Sequence, residues 1–350
     1  MDIHEATRRY EAWMRGHIDI VPADLRLKHE RMKESPFVFL RATFYRWLQL
    51  WPEICADLQA APRVLAVGDL HVENFGTWRD AEGRLIWGLN DVDEASPLPY
   101  TQDLVRLAAS ALLAIRGGRF SSSSADACDA ILEGYAESLD AGGRPFVLAK
   151  RHRWLRDIAT NDLRDPTVFW EKLAALPPVR GRTPAAVLRA LMPPQAQRFR
   201  VARRVAGVGS LGRQRWVALA DWRGGAIARE AKALLPSAAD WLRPRSSGTI
   251  HCATLVSRAV RAPDPFYKVG STWIVRRLAP DCTRIEMDAL PKRRDELKLL
   301  QAMGWETANM HLGTRAVIAR DLARRPSHWL ERGASGMVAA LTQDWRDWRR

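Results

Sequence analysis

The positions of apolar residues along the chain predict helices at its start and strands soon after. Within residues 1–60 apolar side chains recur at helical spacing, and the aromatic-rich stretch 37–51 predicts one continuous helix. Residues 63–67 form a short apolar run that a glycine ends, which is typical of a buried strand. One or two further strands are predicted over 76–92, and a helix over 101–116 follows them.

The second half of the chain changes from helix to strand and back again. Residues 123–195 predict helices separated by glycines and prolines, whereas 198–233 has the short apolar runs and glycine turns of a β-rich segment. Residues 273–278 predict one more strand, and 291–350 returns to helical spacing. We find no internal repeat. This order predicts an α+β fold built from two lobes.

Four segments follow from these changes of pattern. They are an N-terminal helical segment, a helical lobe that contains a polar loop, a β-rich lobe, and C-terminal helices that return to the helical lobe: residues 1–60, 61–197, 198–280 and 281–350.

Composition excludes several classes of protein. Of the 350 residues 47% are hydrophobic and 27% charged, as in ordinary globular proteins. The four cysteines are too few for a disulfide scaffold, and none has the C-x-x-C spacing of a zinc ribbon. The first residues lack the apolar core of a signal peptide, and the longest apolar stretch, 104–115, contains Arg106 and is too short to span a bilayer. We therefore expect a cytoplasmic protein.

The net charge of +14 favours anionic partners such as nucleotides, phosphorylated substrates or nucleic acid. The arginines are spread along the whole chain, however, which the nucleotide composition of the gene explains equally well. No basic group interleaves with aromatic residues as a single-strand-binding surface would. The densest groups are 151–153, 198–204, 243–245 and 292–294.

A polar loop follows the first predicted strand. It carries Asp69, His71, Glu73 and Asn74, and such side chains at the end of a buried strand are costly unless they bind something. Asp69-Leu70 and Asn74 have the D-L-x-x-x-N spacing of the kinase catalytic loop, in which the aspartate reaches the acceptor hydroxyl and the asparagine a magnesium ion. Asp69 and His71 are candidate catalytic residues, with loop-stabilising hydrogen bonding as the alternative for His71.

A second acidic group closes the next predicted hairpin. Asp91 ends an apolar run and Asp93 follows it, and in kinases a carboxylate at the end of such a hairpin is the main magnesium ligand. Asn74, Asp91 and Asp93 are therefore the candidate metal ligands. Asp103, which begins the next helix, resembles the aspartate that supports this loop in small-molecule kinases.

The β-rich segment contains a glycine loop. Gly207, Gly209 and Gly212, with Ser210 between them, form a G-x-G-x-x-G motif that is followed by a strand pattern rather than by a helix. Strand, glycine loop and strand is the nucleotide-covering hairpin of kinases, which carry their phosphate-pairing lysine on the third strand. Lys232, at the end of the next strand pattern, is the candidate for that lysine and for a catalytic role.

Each feature also has an ordinary structural explanation when taken alone. The glycines suit any hairpin, the aspartates suit loop caps, and Lys232 suits a solvated strand end. Their combination, in mutually suitable local contexts, is much harder to obtain by chance.

Together these stretches resemble the bacterial family called domain of unknown function 2252, which is similar to protein kinases and aminoglycoside phosphotransferases. The resemblance implies kinase-like roles for Asp69, Asn74, Asp91 and Lys232, and it implies no particular substrate. The stretches that carry it are 31–41, 68–76, 90–95, 103–110 and 205–212.

The sequence departs from the kinase pattern in two places. A kinase lysine pairs with a glutamate on a nearby helix, but residues 236–262 contain no glutamate, and Asp240, Glu230 and Glu34 are only substitutes. The glycine loop has Gln214 where kinases usually have valine. An inactive member of the family is therefore an open alternative.

As a whole the sequence predicts an ATP- and Mg²⁺-dependent phosphotransferase that acts on a hydroxyl of an unknown small molecule or protein. Asp69 would accept the hydroxyl proton, Asn74 and Asp91 would hold magnesium, and Lys232 would pair with phosphates that 207–212 cover. The alternatives are a nucleotide-binding pseudokinase and a basic nucleic-acid-binding scaffold. A two-metal phosphoesterase is a further alternative, because such enzymes begin with an Asp-x-His motif after a strand.

The order of these motifs differs from that of an ordinary kinase, in which the glycine loop and the lysine come first. Here Asp69 and Asp91 precede the glycine loop and Lys232. We therefore predict a circularly permuted kinase-like fold, in which the helix pattern at 296–311 lies under the Asp69 loop and Lys232 faces Asp91 across one cleft.

Overall fold

The computed structural model describes residues 1–149, 151–160, 165–179, 181, 183–196, 198–243, 248–282 and 295–350. The segment boundary predicted at 197, two positions of the basic group at 243–245, the basic group at 292–294 and the start of the C-terminal helical stretch at 291–294 lie outside the described residues.

The N-terminal segment is helical, as predicted. It consists of α1 (Ile3–Arg15), α2 (Pro22–Met32), α3 (Pro36–Ala42) and α4 (Phe44–Ile54). α1 and α3 begin after Asp2 and Ser35, whose side chains accept hydrogen bonds from free backbone N–H groups. The prediction of one helix over 37–51 is wrong. The backbone of Thr43 leaves the helical region, and its hydroxyl donates to the carbonyl of Phe39 (2.7 Å).

Two small sheets follow, and they position the polar loops. β1 (Arg63–Ala66) pairs antiparallel with β4 (Ser96–Pro99), and β2 (Phe75–Arg79) pairs with β3 (Leu85–Leu89), which also pairs with β5 (Phe146–Val147). Asn90 N donates to Asn74 O (2.9 Å), so the loop after β1 lies against the loop after β3. The buried helix α5 (Tyr100–Arg116) covers them and ends at a glycine, close to the predicted bounds.

Helices and a five-stranded sheet make up the middle of the chain. The helices are α6 (Ser124–Ala141), α7 (Arg153–Ala159), α8 (Pro166–Ala174) and α9 (Ala185–Arg189), and the strands are β6 (Arg200–Arg203), β7 (Arg215–Trp222), β8 (Gly225–Ala233), β9 (Lys268–Val269) and β10 (Trp273–Leu278). Between β8 and β9 lie α10 (Ala238–Trp241) and α11 (Cys252–Arg258). The sheet is antiparallel with the order β6-β7-β8-β10-β9, so Lys232 lies on its central strand.

The C-terminal helices pack back onto the first half of the chain. They are α12 (Asp295–His311), α13 (Arg315–Leu322) and α14 (Trp329–Trp348). α12 crosses α6 so closely that a Cβ at Gly134 or Gly304 would overlap the backbone of the other helix. α14 packs against α4 and α5, and His4 stacks on Trp348 with ring centroids 4.8 Å apart.

One large hydrophobic core joins both ends of the chain, from Ile3 to Trp348, whereas the five-stranded sheet carries smaller apolar clusters of its own. Helices together with antiparallel sheets confirm the predicted α+β class. Of the helices that the structure describes, none combines the length and the apolar character needed to cross a membrane.

Candidate functional site

The loop that carries Asp69 is hydrogen-bonded through its backbone to a buried carboxylate on α5. Asp103, which is fully buried, accepts hydrogen bonds from Val67 N (2.6 Å) and Gly68 N (2.9 Å), and His311 Nε2 of α12 lies 3.0 Å from its Oδ2. Gly68 has φ +90°, a conformation that favours glycine. The sharp turn after β1 and the C-terminal helix are therefore tied to the same carboxylate.

Asp69 is oriented by an arginine that the sequence analysis did not single out. Arg106 of α5 is fully buried, and its Nε (3.0 Å) and Nη2 both donate to Asp69 Oδ1. Its Nη2 also donates to Leu40 O (2.8 Å). This leaves Asp69 Oδ2 on the side of the glycine loop, where the Cβ position of Gly209 lies 3.4 Å from it. The sequence signal that could have identified it is the position of this arginine within the otherwise apolar stretch 104–115.

Asn74 holds the backbone of Asp91. Its Nδ2 donates to Asp91 O (2.9 Å), and its Oδ1 accepts from Asp91 N (3.1 Å). The predicted metal ligand is therefore engaged with the second acidic loop through both atoms of its amide. These two hydrogen bonds hold the Asp91 backbone in place and thereby orient its side chain.

Lys232 meets the two carboxylates of that loop. Its Nζ donates to Asp91 Oδ1 and Oδ2 (both 2.8 Å) and lies 3.0 Å from Asp93 Oδ2. The Lys232 side chain is 7% exposed, whereas that of Asp91 is 42% exposed. Although its side chain is partly open to the cavity, desolvation within the cleft and the neighbouring Asp93 carboxylate raise the pKa of Asp91. Burial acts on Asp93 in the same direction, but Lys232 and Arg213 outweigh it and hold the pKa of Asp93 well below its usual range.

Arg213, directly after the glycine loop, is a second residue that the sequence analysis missed. Its Nη1 donates to Asp93 Oδ2 (2.6 Å) and its Nη2 to Glu94 Oε1 (2.6 Å). Glu94 Oε2 in turn accepts from Ala238 N (2.7 Å) at the start of α10. The acidic loop is therefore tied to the β-rich segment by Arg213 as well as by Lys232. No spacing rule in the sequence pointed to Arg213.

The structure gives Lys232 no partner among the three acidic residues that the sequence analysis considered as substitutes for the kinase glutamate. Glu230 binds Arg215 (2.7 Å) and Arg276 (2.9 Å) as well as Arg204. These arginines hold the pKa of Glu230 well below its usual range, against the effect of its burial. Asp240 lies 3.8 Å from Arg243, and Glu34 is exposed.

The glycine loop lies over Asp69 and against α2. A Cβ at Gly209 would lie 2.9 Å from Arg41 O, and one at Gly212 would overlap the side chain of Leu25. Gly207 and Gly212 have φ of +74° and +96°, so both positions favour glycine. Ser210 Oγ accepts from Arg215 Nη2 (2.6 Å). The absence of side chains thus allows close approach of the loop to the rest of the site.

A cavity of about 510 Å³ brings most of the predicted site residues together, a volume typical of small-molecule sites. Its lining includes Asp69, His71, Asn74, Asp91, Asp93, Gly207, Gly209 and Ser210. Lys232 reaches it through its bond to Asp91, whereas Gly212 is outside the lining and packs on Leu25. Glu73 lines the same cavity and binds Arg41 and Arg119 (3.4 Å).

The carboxylates of Asp91 and Asp93 are oxygen donors of the kind that bind magnesium. Among the described residues no three His, Cys, Asp or Glu side chains form a metal cluster by themselves. Asp91 and Asp93 nevertheless approach one cation, the Lys232 ammonium, at 2.8 and 3.0 Å. Magnesium is typically held by one or two carboxylates together with water and substrate phosphates.

Comparison with known proteins gives one finding. Neither the curated proteins nor the solved structures contain a match to this chain. Residues 20–169 match a family described as an uncharacterized protein conserved in bacteria (DUF2252). The matched span runs from the start of α2 into α8 and includes Asp69, Asn74 and Asp91 but not the glycine loop or Lys232. The part of the chain that carries the Asp69 loop and the Asp91 loop is therefore similar to this bacterial family.

Proposed function

We propose that this protein is an ATP- and Mg²⁺-dependent phosphotransferase with a circularly permuted kinase-like fold. The observation that carries the proposal is the meeting of Lys232 with Asp91, 2.8 Å apart, at the cavity that Asp69 and the glycine loop also line. A lysine, a metal-binding aspartate, a base and a glycine loop around one cleft are the parts that phosphoryl transfer requires.

The topology of the β-rich segment supports the proposal. The glycine loop joins the first two strands of the sheet, β6 and β7, and Lys232 lies on the third, β8. Kinases arrange a glycine loop and a phosphate-pairing lysine in this way. The remaining parts come earlier in the chain, at Asp69 and Asp91, while α12 packs against β1 and β3 from the C-terminal side. A permuted order of the same parts accounts for this.

The roles of the side chains follow from their contacts. Asp69 accepts the proton of the acceptor hydroxyl through Oδ2, because Arg106 occupies Oδ1. Asp91 and Asp93 hold the magnesium ion, with Asn74 fixing the Asp91 backbone. Magnesium supplies neutralisation of the phosphate charge. Lys232 exchanges a carboxylate partner for the nucleotide phosphates, and the glycine loop excludes water above them.

A nucleotide-binding pseudokinase is the second candidate, and the contacts of Lys232 favour it. Lys232 is paired with the same carboxylates that would hold magnesium, and no glutamate pairs with it among the described residues. If the nucleotide does not separate this pair, the cleft binds but does not catalyse.

The test is a thermal-shift titration with ATP, ADP and adenosine, with and without magnesium, followed by an assay for transfer of the ATP γ-phosphate. Binding at one hundred times Kd adds about 2.7 kcal/mol to the free energy of unfolding. Magnesium-dependent stabilisation with transfer or ATP hydrolysis supports the phosphotransferase, and stabilisation without turnover supports the pseudokinase. Absence of any nucleotide effect overturns both, and phosphatase activity with transition metals and without ATP identifies a phosphoesterase.

A further inference from the structure

The face of the five-stranded sheet that looks into the cavity carries a row of arginines. Arg215 lies opposite Lys232 in the register of β7 and β8, and Arg276 lies opposite Glu230 in that of β10 and β8. Arg204, just after β6, continues the ladder, because its N donates to Arg215 O (3.0 Å). Residues opposite each other in a sheet project from the same face. We call Arg204, Arg215 and Arg276 the arginine row.

The arginine row carries more positive charge than its own ion pairs neutralise. All three guanidinium groups converge on a single carboxylate, Glu230, which is 1% exposed and is not part of the cavity lining. The three arginines, in contrast, all line the cavity. Three cations on one anion leave an excess of two positive charges at the cavity wall, beside the Ser210 hydroxyl that Arg215 contacts.

The chemistry of this wall suits phosphate better than an apolar ring. Guanidinium groups present planar forks of N–H donors that match phosphate oxygens in pairs, and they keep their charge when partly buried. Glu230 can neutralise only one of the three arginines, and the Asp91 carboxylate, which also acts on Arg215 and Arg276, is already paired with Lys232. The row continues on the same face to Lys232, which is the cation nearest Asp91.

We propose that the arginine row and Lys232 form one continuous subsite for a condensed phosphate chain, with one phosphate at Lys232 and the next ones along the arginine row. This inference rests on the proposed function for the role of that chain as the phosphate donor. The chain belongs to a nucleoside triphosphate or to an inorganic polyphosphate, which share this chemistry.

Isothermal titration calorimetry with inorganic tripolyphosphate tests the subsite. We expect Arg276→Gln and Arg204→Gln each to weaken binding by about tenfold or more, because each removes charge-assisted hydrogen bonds to phosphate. The matched control is Arg277→Gln. Arg277 follows Arg276 on β10 and therefore projects from the other face of the strand, where it lies 3.5 Å from Asp264. The two side chains are similarly exposed, 19% for Arg277 and 24% for Arg276. Its substitution should leave binding unchanged.

The outcomes separate the subsite from the proposed function. The subsite proposal is overturned if both row variants bind tripolyphosphate as strongly as the wild type. It is also overturned if Arg277→Gln weakens binding as much as the row variants do, or if the wild-type protein does not bind tripolyphosphate. Circular dichroism of both row variants verifies that they are folded. Tighter binding of ATP than of tripolyphosphate, with none of adenosine, identifies a nucleotide as the source, and equal binding identifies a polyphosphate. If tripolyphosphate binds through the arginine row but no phosphate is transferred from ATP, the subsite stands and the phosphotransferase proposal fails.

Discussion

At the scale of single residues, the site depends on charged groups that are each held from one side. Asp69 is bonded through Oδ1 to the buried Arg106, and Asp91 is fixed through its backbone by Asn74. Asp69 Oδ2 is thereby left toward the cavity, whereas both carboxylate oxygens of Asp91 accept from Lys232. This arrangement reduces the number of rotamers that must be selected when a substrate binds.

We predict that Asp91→Asn abolishes the stabilisation by magnesium and nucleotide while the protein remains folded. The Asp91 side chain is 42% exposed, and Lys232 keeps Asp93 at 3.0 Å, so the free energy of unfolding should fall by no more than about 1 kcal/mol. Thermal shifts with and without magnesium measure the effect. Asp221→Asn, at an exposed position of β7, is the control, and a magnesium response like that of the wild type would reject the metal assignment.

We predict that Asp69→Asn reduces phosphate transfer by a factor on the order of 10² to 10⁴, the range for loss of a general base. The amide oxygen still accepts from Arg106, so nucleotide affinity should change little and the free energy of unfolding should fall by about 1–3 kcal/mol. Single-turnover rates and nucleotide titrations measure the two effects. A loss of affinity as large as the loss of rate would contradict the role of Asp69 as a base.

At the scale of elements, the glycine loop is placed by the helices beneath it as much as by its own strands. Lys28 Nζ of α2 donates to Gly209 O (3.4 Å), and Val21 N, at the start of α2, donates to Gly212 O (2.9 Å). The loop thus joins the β-rich sheet to the N-terminal helices, directly above Asp69. The segment 31–41 contributes to this site through the carbonyl of Arg41.

We predict that Gly209→Ala displaces the loop from Asp69. The added Cβ would lie 2.9 Å from Arg41 O and 3.4 Å from Asp69 Oδ2, and a backbone oxygen cannot easily move away. Such overpacking costs about 1–3 kcal/mol, and we expect lower nucleotide affinity and a lower rate of transfer. Gly225→Ala is the control, because nothing lies within 4 Å of its Cβ position. Equal effects of the two variants on nucleotide affinity would refute the placement of the loop.

At the scale of the whole molecule, the C-terminal helix α12 supports the site that the first third of the chain forms. His311 lies 3.0 Å from Asp103, and Glu306, which is 1% exposed, accepts from Leu89 N (3.1 Å) at the end of β3. Asn309 Nδ2 also donates to Glu306 (2.8 Å). The Asp69 loop and the Asp91 loop are therefore both stabilised by a helix that lies about 200 residues further along the chain.

We predict that the free energy of unfolding of Glu306→Gln rises relative to that of the wild type as the pH increases above about 4.5. Burial raises the pKa of Glu306 above its ordinary value of 4.5, and Arg261 and the two hydrogen bonds only partly oppose this. A raised carboxyl pKa stabilises the folded protein most below the unfolded pKa, and this contribution is lost as the pH rises through the folded pKa.

Urea unfolding at several pH values between 4 and 8 measures this difference, whose slope is at most about 1.4 kcal/mol per pH unit. Glu133→Gln, at an exposed position of α6, serves as the control. If the difference in free energy of unfolding between Glu306→Gln and the wild type does not change with pH, the pKa of Glu306 is not raised in the folded protein.

Local pattern predicted much of this protein, because hydrophobic periodicity and glycine positions act within one element. The bounds of α5 and β10, the hairpin of β2 and β3, and the α+β class all follow from the sequence. The strands β5 and β9 do not, because two residues carry no periodicity, and β4 does not, because two of its four residues are prolines. The break at Thr43, where the backbone leaves the helical region, was missed because no glycine or proline marks it in the sequence.

The sequence by itself determined which chemical groups lie in each loop, since D-L-x-x-x-N, the acidic loop and the glycine motif are contiguous in the chain. Only the tertiary structure decided which groups meet. Lys232 pairs with Asp91 across 141 positions, and Arg213 with Asp93 across 120. Arg106 and the arginine row likewise acquire their roles from partners that periodicity does not specify. The physical reason is that ion pairs and sheet registers depend on how elements pack, whereas propensity and spacing act over a few residues.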